Sequence, residues 1–227
     1  MNAGAIAGVT DIKNPISAAI KVMTDSEHLM LSGKGASEFA KLKGLEIVEL
    51  EYFFTESRFN SLQKIKEQER TLSNHNKKQS FYDPIIQDSK FGSVGCVALD
   101  KYGNIVAGTS TGGMTNKRWN RIGDTPIIGS GTYANNTTCG VSSTGWGEYF
   151  IRAQVAHDIS ALIDYRRMSL KEATTEVTQN KLTKLRGTRG VTALDKNGNI
   201  EFEFNTAGMY RASMDDNGSL IVKIYKD

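Results

Sequence analysis

At Gly92-Ser93 a hydroxyl residue directly follows glycine, where a long polar stretch gives way to the apolar run Val94 to Leu99. A hydroxyl so placed can attack the carbonyl of its own preceding peptide bond. Scission would leave it beside a free α-amine able to act as its base, which turns a weak nucleophile into a useful one. An α-amine has an unperturbed pKa of about 7.7 to 8.0, so a modest downward shift supplies free base near neutral pH. Gly92-Ser93 is therefore a candidate cleavage site and Ser93 a candidate nucleophile. Gly187-Thr188 offers a second step of the same kind.

The residues downstream of Ser93 separate the two. Thr109-Ser110-Thr111-Gly112-Gly113 closes a second strand, and in an antiparallel pair Thr111 falls opposite the start of the first, near Ser93; read alone, it is equally a Ser/Thr/Gly-rich turn. In Arg121-Ile122-Gly123-Asp124 the guanidinium suits a carboxylate and the carboxylate an ammonium, a combination that fits an α-amino-acid head group. The same two residues also read as a surface ion pair of little energetic weight. Ser142-Ser143-Thr144-Gly145-Trp146-Gly147-Glu148 runs from a strand into a helix, and the unpaired N–H groups of that junction can hold an oxyanion. It also reads as a plain helix start capped by Ser143 or Thr144.

The positioning elements are legible from period and punctuation. Asn14-Pro15 predicts a helix over 16–23 with Asn14 as cap. A short strand comes next at 28–31, then helices over 35–42, ending at Gly44, and over 57–69. Residues 71–91 carry no period to bury and read as a mobile linker. Strands at 94–99 and 105–109 flank the turn Asp100-Lys101-Tyr102-Gly103-Asn104. Beyond them come a strand at 138–142, helices over 147–165 and 169–185, and strands at 190–194, 200–204 and 220–225. Runs of helices and antiparallel hairpins, not strict alternation, predict an α+β protein. Aligning Gly92 with Gly187 gives repeated identities, among them Asp100/Asp195, Gly103/Gly198 and Asn104/Asn199. Shared hairpin turn chemistry explains these, as does an internal duplication.

The 227-residue chain, 39% apolar and 23% charged, fits one domain with a substantial core. A net charge of +3 from 28 basic and 25 acidic residues points to no nucleic-acid partner. The local cluster Lys64, Lys66, Arg70, Lys77 and Lys78 is interleaved with Glu67 and Glu69 and reads as a solvated face. Cys96 and Cys139 lie in apolar runs and are expected to be buried reduced thiols. No stretch has the roughly 20 apolar residues of a membrane span. A cytoplasmic protein with no membrane partner is expected.

Taken together, Gly92 to Asp100, Thr109 to Lys117, Arg121 to Asp124, Tyr133-Ala134-Asn135, Thr144 to Glu148 and Asn205 to Arg211 resemble the isoaspartyl peptidase and plant-type L-asparaginase family of N-terminal nucleophile hydrolases. The resemblance implies a four-layer α-β-β-α sandwich, cut into an α portion (1–92, ending in the linker at about 71–92) and a β portion (93–227). It makes Ser93 the nucleophile, with Thr111 bonded to it, Arg121 holding the substrate α-carboxylate and Asp124 its α-ammonium. Thr144 and Gly145 would be oxyanion donors, and Gly147 would line the pocket. The implied substrates are asparagine or a β-aspartyl dipeptide, the implied assembly is a homodimer of cleaved αβ protomers, and no cofactor is implied. The chain departs from the family in having serine where threonine is usual, and it lacks the His-Gly-Gly-Ala-Gly motif, the long helix and the monovalent-cation loop of the family's N-terminal region. A shortened form that neither cleaves itself nor hydrolyses anything, but binds an amino acid, is therefore an alternative reading. An N4-glycosylasparaginase is another.

Overall fold

Pro15 occupies the first turn of helix α1 (Pro15–Asp25), where its missing N–H costs nothing. The computed structural model describes residues 1–75 and 92–226. The preceding Asn14 makes no side-chain cap bond, contrary to expectation; its backbone carbonyl accepts from Ser17 N. Strand β1 (Ala5–Ala7) pairs in parallel with β2 (Met30–Ser32), and α2 (Gly33–Leu42) ends at Gly44, whose φ of 73° an L side chain resists. α3 (Glu56–His75) runs past the expected end at 69. Thr71 continues it by donating its hydroxyl to the carbonyl of Glu67 one turn back, which satisfies the side chain without leaving the helix. The linker expected over 71–91 thus begins no earlier than 76, and 76–91 lie outside the described residues.

After Ser93 the hairpin forms as its sequence indicates: β3 (Val94–Leu99) and β4 (Ile105–Ser110) pair antiparallel, with Val94 opposite Ser110. The four-stranded antiparallel sheet has the order β5 (Thr132–Ala134), β6 (Cys139–Gly145), β7 (Arg189–Asp195), β8 (Ile200–Phe204). Three short helical segments cover one of its faces: α4 (Gly147–Ala153), α5 (Val155–Arg166) and α6 (Leu170–Thr175), the last continuing as a π-helical stretch over Glu176–Leu182. A continuous helix expected over 147–165 is broken at Gln154, whose φ is 50°. β9 (Gly208–Met214), which pairs with β10 (Leu220–Tyr225), and the short β5 had no clear sequence signal. β9 alternates buried and exposed residues only at its start, and Gly208 and Arg211 interrupt its apolar pattern.

The main core lies between β6–β7 and α4–α6. Phe150, Val141, Val155, Ile159, Leu182 and Val191 are fully buried there, together with Cys139. Burial drives the Cys139 thiol up to about 12, so it is an inert hydrophobe. Cys96, expected to be buried, is exposed, because β3 leaves the face carrying Val94, Cys96 and Ala98 uncovered by other described residues. The repeated turn is explained by its aspartates. Asp100 accepts from Tyr102 N and Asn104 N, Asp195 accepts likewise from Asn197 N and Asn199 N, and Asp215 from Asn217 N and Ser219 N. The third copy, in the turn between β9 and β10, has no counterpart among the aligned pairs, so the same Asp-x-x-Gly turn chemistry recurs outside the repeat. Among the described residues no helix is long and apolar enough to cross a membrane.

β3 and β4 press on β6 and β7 from the side opposite the helices. A Cβ on Gly95 would lie 1.7 Å from Ser142 Oγ, and one on Gly140 would lie 2.5 Å from a methyl of Val97. Both glycines therefore set the distance between the two layers. Gly95→Ala is expected to destabilise the protein by about 1–3 kcal/mol through overpacking, read as a lower urea midpoint at unchanged slope. Adding Ser142→Gly should recover part of that loss.

Candidate active site

Antiparallel register carries Ser93 and Thr111 to facing positions, one residue beyond the Val94–Ser110 pair. Ser93 Oγ donates to Thr111 Oγ1 at 3.1 Å, and Thr111 Oγ1 also accepts from Gly113 N at 3.0 Å. The threonine hydroxyl is thereby held from two sides, and the serine is half-buried beside it. Below this pair, Thr109 Oγ1 lies 2.7 Å from Ser142 Oγ and 2.5 Å from Thr132 Oγ1, joining β4, β6 and β5 through hydroxyls. No sequence signal marks this cluster, because its members are distant along the chain. Thr188, the rival hydroxyl, comes after a Gly187 buried against Leu182 and Tyr149, and has no hydroxyl partner among the described residues.

Thr111 lines a cavity of about 870 Å³ with Lys117, Arg121, Gly123 and Thr125. Arg121 and Asp124 are not paired with each other. The guanidinium is clamped instead by Glu148, 27 residues later in the first turn of α4: Nε donates to Oε1 at 2.8 Å and Nη2 to Oε2 at 2.5 Å. The surface-pair reading of Arg121 and Asp124 is thus corrected, since the loop turns the two side chains apart and the helix supplies the partner. Burial would raise the Glu148 carboxyl, but its bonds to Arg121 outweigh this and hold it low.

Asp124 is 5% exposed, and its Oδ2 has no hydrogen-bond partner among the described residues. Burial pushes its pKa up to about 6, against the opposing pull of Arg121 and with a small push from Glu148. Gly147 makes this packing possible, because a Cβ there would lie 2.7 Å from both the N and Oδ1 of Asp124. An orphaned carboxylate oxygen in a buried site awaits a donor. Lys117, also missed in the sequence, is an exposed residue that lines the cavity with Arg121, and partial desolvation together with the Arg121 charge lowers its pKa.

Thr144 and Gly145 end β6. The Thr144 hydroxyl has no partner among the described residues, and Gly145 lies against Phe150 and Thr188 O. The residue at the α4 cap position is Trp146, which makes no side-chain capping bond, so neither Ser143 nor Thr144 caps it: Ser143 Oγ donates to Ser130 O, and Thr144 is still within β6. Among the described residues no group of three or more His, Cys, Asp or Glu is arranged for a metal ion.

Fold and site together define an α+β protein with a paired hydroxyl beside a cavity lined by a clamped arginine, Arg121, with the buried carboxyl of Asp124 behind the neighbouring Gly123 and Thr125. A family profile described as asparaginase matches residues 1–224. The chain is 47% identical over 212 residues to the isoaspartyl peptidase of Escherichia coli, covering 93% of this chain and 64% of that protein. It is 44% identical over 256 residues to a relative from Dictyostelium discoideum, covering 100% and 73%, and 40% identical over 220 residues to the plant-type L-asparaginase of Pyrococcus furiosus, covering 94% and 69%. The chain belongs to this asparaginase family. It spans between 64% and 73% of the lengths of these relatives.

The buried Asp124 carries a stability signature. Its folded pKa of about 6 exceeds its unfolded value, so the folded state binds the extra proton and loses stability as pH rises from about 4 through about 6. Asp124→Asn is expected to be more stable than the parent at pH 8 by on the order of 1–3 kcal/mol, with the gap closing by pH 4. Thermal melts across that range measure it.

Proposed function

We propose that the chain is the nucleophile-bearing unit of an isoaspartyl peptidase and L-asparaginase. Its hydroxyl nucleophile, Ser93, is released by cleavage after Gly92. The observation that carries this reading is the 3.1 Å Ser93–Thr111 hydroxyl pair, whose threonine lines the same cavity as Arg121. Names of relatives that include isoaspartyl peptidase and L-asparaginase support it. They favour neither a non-hydrolysing protein nor an N4-glycosylasparaginase.

In the first stage Ser93 Oγ attacks the Gly92 carbonyl, with Thr111 orienting the hydroxyl; the Gly92–Ser93 C–N bond breaks to leave an ester and a free α-amine, and water then hydrolyses the ester to the Gly92 carboxylate and the Ser93 hydroxyl. In turnover that amine takes the Ser93 proton as the oxygen attacks the substrate's β-carbonyl. Thr144 and Gly145 serve as oxyanion donors, a role in which loss of one donor typically costs about 100 to 1,000-fold. The amine then protonates the departing ammonia or amino acid, and water releases aspartate. Arg121 meets the α-carboxylate, Asp124 the α-ammonium, and Gly147 keeps the wall low enough for both. Nucleophile, base and binding groups all come from this chain, and no cofactor enters.

The packing of β3–β4 on β6–β7, with α1 against β4 and α4–α6 on the far side, supports a four-layer α-β-β-α sandwich. It is one domain, with an α portion up to 92 and a β portion from 93. A cytoplasmic homodimer of cleaved protomers completes the reading, and its reducing surroundings suit the free thiols.

Intact-mass analysis is expected to show fragments 1–92 and 93–227, with ammonia released from L-asparagine and leucine from β-aspartyl-leucine. A persistent single chain that releases neither would overturn the reading. Thr111→Val should slow cleavage roughly 100-fold, whereas Ser93→Thr should accelerate it, since the β-methyl confines the rotamer. Asp124 must be ionised to hold the ammonium, so kcat/KM should fall as pH drops below about 6.

A further inference from the structure

Arg121 reaches the cavity already engaged. Glu148 takes its Nε–H and one Nη2–H in a side-on, bidentate grip, leaving the Nη1 group and the second Nη2–H as the remaining donors. Nη1 lies over Gly123, 2.7 Å from where a Cβ would stand, so a side chain there would collide with it. The Arg121 side chain is 17% exposed and that of Glu148 38%, so water reaches the pair mainly from the Glu148 side. Glu148 also stands in the first turn of α4, whose first residue, Gly147, packs directly on Asp124. One short helix thus positions both Arg121, on the cavity wall, and the buried Asp124 beside it.

We infer that Glu148 is a positioning residue for substrate capture: its bidentate grip on the side edge of Arg121 aims the end edge of the guanidinium at the substrate's α-carboxylate. A free arginine at the cavity wall has many rotamers and could swing toward the neighbouring Asp124 carboxylate, closing the site on itself. The grip on Glu148 prevents this collapse and keeps Asp124 available for an ammonium. A bidentate fork has two faces to offer two carboxylates, which a lysine could not do. The inference rests on the reading that Arg121 and Asp124 hold a zwitterionic head group. The charged groups facing Asp124 are Arg121, which draws its pKa down, and Glu148, which pushes it up. Lys117 lies further along the cavity, beside Arg121.

Two near-isosteric changes separate geometry from charge. Glu148→Gln removes the charge and turns an amide donor toward Nη2. Glu148→Asp keeps the charge but shortens the reach. Calorimetric titration with L-aspartate at pH 7.5, and then across pH 4.5–8, reads both without requiring turnover, and thermal melts confirm folding. Both variants are expected to raise the Kd for L-aspartate at least 10-fold. In Glu148→Gln the acid midpoint of binding should also move to lower pH, because Asp124 loses a like charge, while Glu148→Asp keeps it near the parent value. Unchanged or tighter binding by both variants, with the parent binding L-aspartate, would overturn the role of Glu148 and leave the site reading intact. A parent protein that binds no L-aspartate would overturn both.

Discussion

The contact between the β3–β4 hairpin and β6 governs the rest of the molecule. With Gly95 against Ser142 and Gly140 against Val97, the layers close to a separation that no side chain at either glycine would permit. At that separation Thr109, Ser142 and Thr132 meet through their hydroxyls, so the interface holds polar groups that satisfy one another. A hairpin alone would be a mobile ribbon. Clamped to a sheet that is itself covered by helices, it becomes a rigid platform for the Ser93 and Thr111 pair at its open end. β6 is buried on both faces for the same reason, although its sequence, Cys139 to Gly145, contains only two conventional core residues.

The electrostatics beside the cavity arise from the burial of Asp124. Asp124 is buried with no partner for Oδ2 among the described residues, an arrangement that raises the cost of its charge. Arg121, a few residues away, does not relieve it, because Glu148 already occupies the guanidinium. Arg121 lines the cavity and Asp124 is buried beside it, two charged groups with no ion pair between them.

Much of the fold was legible because local rules agreed with the tertiary outcome. Pro15, Gly44 and the Asp-x-x-Gly turns punctuated the chain where the elements start and stop, and β3, β8 and β10 fell on their expected residues. Legibility failed where packing overrode local preference. Gln154 turns through a left-handed conformation that divides α4 from α5, and a π-helical stretch replaces α-helix over Glu176–Leu182, yet neither residue pattern signals a break. Cys96 read as core because strand sequence cannot reveal which of two faces will be covered.

The sequence by itself determined the chemical inventory: a hydroxyl after glycine, a second hydroxyl opposite it by antiparallel register, and an arginine and aspartate in one loop. These are relations over short separations or within one hairpin, where bond geometry leaves few choices. Only the tertiary structure decided that Arg121 answers to Glu148 and not to Asp124, that Asp124 is buried against Gly147, and that Thr109 meets Ser142 and Thr132. Such partners come from different elements, and no spacing along the chain encodes them. They are selected by the close approach of layers, which is a property of the packed whole.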